Sequence, residues 1–258
     1  MSNQDPPPGQ TPSAQPAPQH QPASFKTKIA VIILVVVGLL GPRIYRRVAP
    51  AYRAVRQAEH RMSCSRSLNK IALAMHSYHK LHKTLPPAFT TDSQGRPLHS
   101  WRTQLLPFMG QKSLYASIDL SKPWDHPDNQ AAANTAVPAY ACPSSEADPT
   151  LTHYVAIVDP SGMMRGGIAT KFQDTTDSLS ETILFAEAES AAPVHWMSPQ
   201  DTDLPTFMDT SNPDRQTNHV GGVHVAMGDG GVAFITDSME QALRLALVTN
   251  AGGEQLGF

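Results

Sequence analysis

The chain has 258 residues, 40% of them hydrophobic, with 23 prolines and 2 cysteines. That length suits one domain with appendages, and two cysteines exclude both a disulfide-dense mini-protein and a multi-cysteine zinc framework. The formal charge of −2 hides a split: residues 1–91 carry 12 Lys/Arg against two acids (+10), and residues 92–258 carry 8 against 20 (−12), so the larger, acidic part excludes a nucleic-acid surface.

Residues 1–25 are rich in Pro and Gln and hold seven prolines. Such a segment cannot bury enough apolar surface to offset its ordering entropy, which predicts a disordered tail. Residues 26–45 are expected to form a transmembrane anchor around Ile29–Leu40, twelve apolar residues in a row. The 14 residues between Lys28 and Arg43 rise about 21 Å as a helix, short of a bilayer core of about 30 Å, so snorkelling lysines and arginines must complete the span. A cleaved signal peptide would need a small-x-small site and a polar start after it; Arg43, Arg46 and Arg47 follow instead. Those arginines, with Arg53 and Arg56, favour a cytoplasmic domain by the positive-inside rule.

Residues 46–258 form the expected α+β domain. Arg43 to His82 reads as helix, with Tyr52, Val55, Met62, Leu68, Ile71, Met75 and Tyr78 on one stripe, and Leu85-Pro86-Pro87 stops it. His76, His79 and His82 share a face but have no acidic ligand among them, so packing or solvated histidines are expected. Ser100 caps a helix through Leu106, and Asp128 another through Ala136. Thr152–Val158 and Thr182–Ala186 read as strands. Gly222–Met227 and Val232–Thr236 flank Asp229-Gly230, the strongest hairpin signal in the chain. Asp237 or Ser238 then caps a last helix, Met239–Val248, before Gly252 and Gly253.

Several segments in fixed order resemble a bacterial family of prepilin-like proteins with a domain of unknown function and a His-x9-Asp-Gly signature. They are Pro50–Ala88 (PAYRAVRQAEHRMSCSRSLNKIALAMHSYHKLHKTLPPA), Gly95–Tyr115, Lys122–Asn129 (KPWDHPDN), Tyr140–Ser144 (YACPS), His219 to Asp229-Gly230, and Thr249–Glu254. The resemblance implies a pilin-like arrangement, a long N-terminal helix packed on an antiparallel sheet, with the domain exported. It thereby opposes the orientation that the arginines favour. The family's prepilin site is absent: Lys28 stands where its cleavage glycine belongs and Ile33 where its glutamate belongs, so neither cleavage nor pilus assembly carries over, and the chain is expected to stay uncleaved. Cys64 and Cys142 coincide with family cysteines, which implies a disulfide between them in an exported domain.

His219, Asp229 and Gly230 read as a signature turn: Asp229 bonds the backbone and tolerates positive φ, with Gly230 next. His219 and His224, five apart, should point to opposite faces of one strand, and a metal-dependent hydrolase built on His219, His224 and Asp229 is the least favoured reading. Trp124, Asp125, Asp128 and Asn129 gather carboxylates, an amide and an indole, which suggests calcium or sugar contact, although Asp128 also serves as a cap. Cys142 before Pro143 reads as structural rather than nucleophilic, and no nucleophile elbow, P-loop, dinucleotide fingerprint or H-E-x-x-H occurs. The expectation is a membrane-anchored, non-enzymatic envelope protein without metal or cofactor. Its expected partners are the lipid bilayer and other envelope proteins, with no nucleic acid; the alternative is a sugar- or calcium-binding module.

Overall fold

The computed structural model describes residues 25–142, 145, 147–188, 193–210 and 217–253; the tail expected over 1–25 lies almost wholly outside them. Cα packing divides the chain into two units at Arg53/Ala54, later than the 45/46 boundary drawn from the sequence.

The described part of the first unit is the beginning of helix α1 (Phe25–His82), which already forms well before Arg43. Pro42 and Pro50 lie inside it; lacking N–H groups, they leave the carbonyls of Gly38 and Arg46 without their i+4 donors. Leu39, Ile44, Tyr45, Val48 and Tyr52 are exposed. The expected transmembrane anchor is not supported: among the described residues, no helix is long and apolar enough to cross a membrane. The twelve apolar residues Ile29–Leu40 rise only about 18 Å, and Gly41, Pro42 and Arg43 end the run before it reaches the ~30 Å of a bilayer core.

The second unit is α+β. Within it the buried stripe of α1 starts at Cys64 and continues through Leu68, Ile71, Ala72 and Met75, whereas Val55 and Met62, expected on the same stripe, are exposed. Arg61 already reaches the body, donating to the Val220 carbonyl (2.6 Å) and lying over the Phe234 ring, but the apolar core meets the helix only from Cys64 onward. Lys83 closes α1 at φ 65°, its N–H donating to the His79 carbonyl (2.8 Å), a left-handed cap of the kind glycine favours.

β1 (Phe89–Thr91) and β2 (Pro97–Ser100) form a hairpin. Ser100 caps α2 (Trp101–Leu105) as expected, its hydroxyl accepting the Arg102 N–H. Pro107 then confines the next turn, Leu106–Met109, to a 3-10 helix. After α3 (Lys112–Ala116) comes a short 3-10 turn, Pro127–Asn129, capped by the His126 ring, and then α4 (Gln130–Ala133). Asp128 is therefore not a cap; its carboxylate is drawn to Lys122.

The strand expected over Thr152–Val158 is broken in three because each piece finds a different partner. β3 (Leu151–Thr152) pairs with β7 (Val194–His195), β4 (Tyr154–Val155) with β6 (Ile183–Glu187), and β5 (Ile157–Val158), in parallel, with β8 (Thr202–Asp203). Asp203 caps α5 (Leu204–Met208). β9 (Gly222–Met227) and β10 (Val232–Thr236) form the predicted hairpin at the predicted bounds. They complete an antiparallel sheet of order β10-β9-β6-β4. The strand start needs glycine at Gly222, because a Cβ there would run into the Ile235 carbonyl oxygen on β10. The last helix, α6 (Gln241–Ala246), begins later than expected, because the Ser238 hydroxyl bonds Thr236 (3.2 Å) rather than capping.

Both faces of the sheet are buried. Phe185 and Ala226 share a core with Leu68, Ile71 and Met75 of α1, while Ile183, Val223 and Val225 pack with Phe207 and Leu247 on the other side. The histidine face of α1 packs: His76 and His79 lie against Phe172, and His82 against Tyr78. Arg102, fully buried, ties the body together. Its guanidinium donates to the carbonyls of Trp196 (3.1 Å), Tyr154 (2.9 Å), Ser198 (3.0 Å) and Gln200 (2.8 Å), and to Asp201 Oδ1 (2.7 Å). Asp201 Oδ1 also accepts from Trp101 Nε1 (3.2 Å) and the Ala156 N–H (2.8 Å). A planar five-donor fork suits this convergence of acceptors as no lysine could.

Candidate functional site

The register of β6 on β9 sets Ala186 opposite Val225. Glu187, one residue on, therefore falls beside His224, and alternation puts both on the α1 side of the sheet. Glu187 Oε2 accepts from the His224 N–H (2.9 Å) and meets His224 Nδ1 (2.9 Å). His219 precedes β9, in a bridge with Gly222, and from there reaches the same carboxylate: its Nε2 stands 3.4 Å from Glu187 Oε1. The two rings meet edge to face with centroids 4.7 Å apart. The expectation that they point to opposite faces is thus corrected. Alternation holds only within a regular strand, and the left-handed Gly221 (φ 86°) breaks it between the two histidines.

Cys64 on α1 and Cys142, in the segment after α4, complete the group. Their sulfurs face each other at 2.9 Å as thiols. One donor atom from each of Cys64, Cys142, Glu187 and His219 lies within 4.8 Å of the others, and all four residues are buried. Burial opposes ionisation of Glu187, yet the facing His219 and His224 outweigh it and bring its pKa down to about 2. Burial likewise opposes a charge on His219, but Cys64 and Glu187 together raise its pKa to about 9. The Cys142 sulfur and burial push the Cys64 thiol up. Glu187 and His219 therefore form a charged pair in the interior, with the neutral Cys64 thiol against them.

The other expected residues separate from this group. Asp229 Oδ1 accepts the Gly231 N–H (2.8 Å), and Gly230 has φ 91°, so these two form the expected turn. Asp229 does not join the histidines in a hydrolase-like set. In the Trp124–Asn129 segment, Asp128 is paired with Lys122. Asn129 spends its side chain on the backbone of Asp119 and Pro123. Trp124 packs on the His195 ring at 4.6 Å. Asp125 is exposed, as is the Lys122-paired Asp128, and together they are a poor oxygen set for calcium. Sequence reasoning missed Glu187, the hub of the group. It is the last residue of an otherwise apolar strand, and only the sheet register pairs it with His224.

Comparison with curated proteins finds no match, and comparison with solved structures finds none. Residues 53–212 and 198–242 match the family described as "Protein of unknown function (DUF1559)", and the chain belongs to that family.

Proposed function

We propose that the chain is a pilin-like envelope protein with a non-enzymatic structural or interaction role. In this reading it is held at a bilayer by the first part of α1 and carries its second unit on the exported side. The observation that carries the reading is the exposure of Leu39, Leu40, Ile44, Tyr45, Val48 and Tyr52, from 48% to 66% of each residue's surface. They alternate with Arg43, Arg46 and Arg47. Clustered exposed apolar side chains mark membrane or partner contact, and arginines beside them suit anionic headgroups. Insertion to less than full bilayer depth fits the short apolar run. The prepilin-like resemblance and the His-x9-Asp-Gly signature support the envelope role and the exported side. There the two facing thiols of Cys64 and Cys142 would be oxidised to a disulfide.

The test is flotation of the purified full chain with anionic vesicles. The wild type should float, and Ile44→Asp with Val48→Asp should sediment. Equal flotation of the double variant would refute the assignment of this segment. Protease added to spheroplasts should remove the second unit; full protection would overturn the exported side.

A further inference from the structure

Two polar atoms of the group around Glu187 are held by charge alone. Glu187 Oε1 and His219 Nε2 are both fully buried and stand 3.4 Å apart as an ion pair, and neither makes a hydrogen bond. Their residues are 3% and 4% exposed. Unsatisfied carboxylate and imidazole atoms in an interior are costly, and these two converge on the sulfurs of Cys64 and Cys142. The geometry points to a metal site: the dithiol form of this protein binds one Zn²⁺ through Cys64 Sγ, Cys142 Sγ, His219 Nε2 and Glu187 Oε1. This goes beyond the envelope role and does not depend on it.

The donor chemistry selects the ion. Two thiolates and an imidazole are soft to borderline ligands that suit Zn²⁺ and reject Ca²⁺ or Mg²⁺, which take oxygen. Four protein ligands make a closed tetrahedral site of the structural kind. At metal–ligand lengths of about 2.0–2.3 Å, tetrahedral donors stand roughly 3.4–3.8 Å apart. The His219–Glu187 pair is already at 3.4 Å; the sulfurs, at 2.9 Å, must part by a little under about 1 Å, within reach of side-chain rotation. Binding releases a proton from each thiol and a third from the His219 ring, whose Nε2 must be bare to coordinate, and the two thiolates and the carboxylate together outbalance the ion's charge by one. His224 holds the other carboxylate oxygen through Oε2 (2.9 Å) and so aims Oε1 at the ion, the outer partner that buried metal ligands require. An approach exists on the Cys142 side, where a cavity of about 250 Å³ is lined by Cys142, Ser145, Asp148 and His153. The same sulfurs can instead join as the disulfide, and disulfide and metal exclude each other, so the site belongs to the reduced chain alone.

The experiment uses the full chain, stripped of metal, reduced with a phosphine and titrated anaerobically with Co²⁺ as the spectroscopic probe. Expected is the sulfur-to-cobalt charge-transfer absorption with the intense visible bands of tetrahedral cobalt, saturating at one equivalent and displaced by Zn²⁺. Cys142→Ser and His219→Gln should lose these bands while keeping the wild-type circular dichroism. His224→Gln should keep one equivalent but bind about 10–100-fold more weakly. Zn²⁺ should raise the melting temperature of reduced protein and leave that of oxidised protein unchanged. A reduced, folded wild type without the charge-transfer absorption would overturn the site. So would bands that persist in Cys142→Ser, or sulfurs that can be reduced only by unfolding the chain.

Discussion

Replacing Arg102 with Met removes the centre of the buried network while keeping a long apolar stem. Asp201, whose side chain is only 2% exposed, would retain the Trp101 indole and the Ala156 N–H as donors but lose its counter-charge. Four carbonyls, those of Tyr154, Trp196, Ser198 and Gln200, would each lose a charged donor. Breaking a buried pair by removing one partner costs about 3–5 kcal/mol, and the four stranded acceptors place Arg102→Met toward the upper part of that range. A cost of about 4 kcal/mol lowers the melting temperature of a unit this size by about 8–16 °C. Burial already pushes the Asp201 carboxyl up, against the pull of Arg102. The abandoned carboxylate can therefore take up a proton, and the loss should be smaller at pH 5 than at pH 8. Arg102→Lys should be nearly as damaging, because one ammonium cannot reach five acceptors. Urea unfolding of the single variants and of Arg102→Met/Asp201→Asn gives the coupling, and the double variant should recover part of the loss. A cost for Arg102→Met below about 1 kcal/mol, or no recovery in the double variant, would refute the reasoning.

Lys83→Gly should stabilise the second unit by about 0.5–1 kcal/mol, measured by urea midpoint, because glycine takes φ 65° without strain. Gly222→Ala should cost roughly 3 kcal/mol, since its Cβ would meet the Ile235 carbonyl rather than a yielding side chain; wild-type stability would show that the two strands can part freely. Burial lowers the pKa values of His99 and His195, and His195 Nδ1 accepts the Met197 N–H (3.2 Å), which only a neutral ring can do. Their contribution is complete above pH 6.5, the unperturbed value, and lost as pH falls through the lowered folded pKa. Urea midpoints from pH 7.5 to 5 should therefore fall less steeply in His195→Gln than in wild type, and identical slopes would contradict this.

The sequence was most legible where one local rule decides. The β9–β10 hairpin was fixed at both ends by alternation and Asp229-Gly230, and Ser100 was recognisable as a cap from its own chemistry. It was least legible where a distant partner decides. Thr152–Val158 looks like one strand because its residues are β-branched and apolar; that three separate strands claim it depends on β6, β7 and β8, up to 45 residues away. Arg102 looks like an ordinary surface cation on a short helix until five acceptors from two segments close around it. Asp128 before a helical stretch looks like a cap until Lys122 competes for it, and an ion pair needs no backbone geometry to win. The Tyr52 to Met62 spacing is helical and apolar, yet spacing says nothing about whether anything covers the face.

The distance in sequence from His219 to Asp229 has a structural reading that the sequence could not supply. Nine residues separate His219 from Asp229, and β9 occupies most of them. The two marked residues therefore sit at opposite ends of one strand and serve different purposes. Asp229 and Gly230 set the turn that fixes the register of β9 on β10. That register places His224 and Gly222, and the left-handed Gly221 then swings His219 back toward Glu187 rather than along the strand. An insertion or deletion between the two marks would shift β9 by one residue against β6 and turn His224 to the opposite face. It would also leave Glu187 buried with neither ring against it, which the interior could not accommodate. The spacing in this chain thus answers a demand of the Glu187 group on strand register, and it ties the turn at one end of β9 to the thiols of Cys64 and Cys142 near the other.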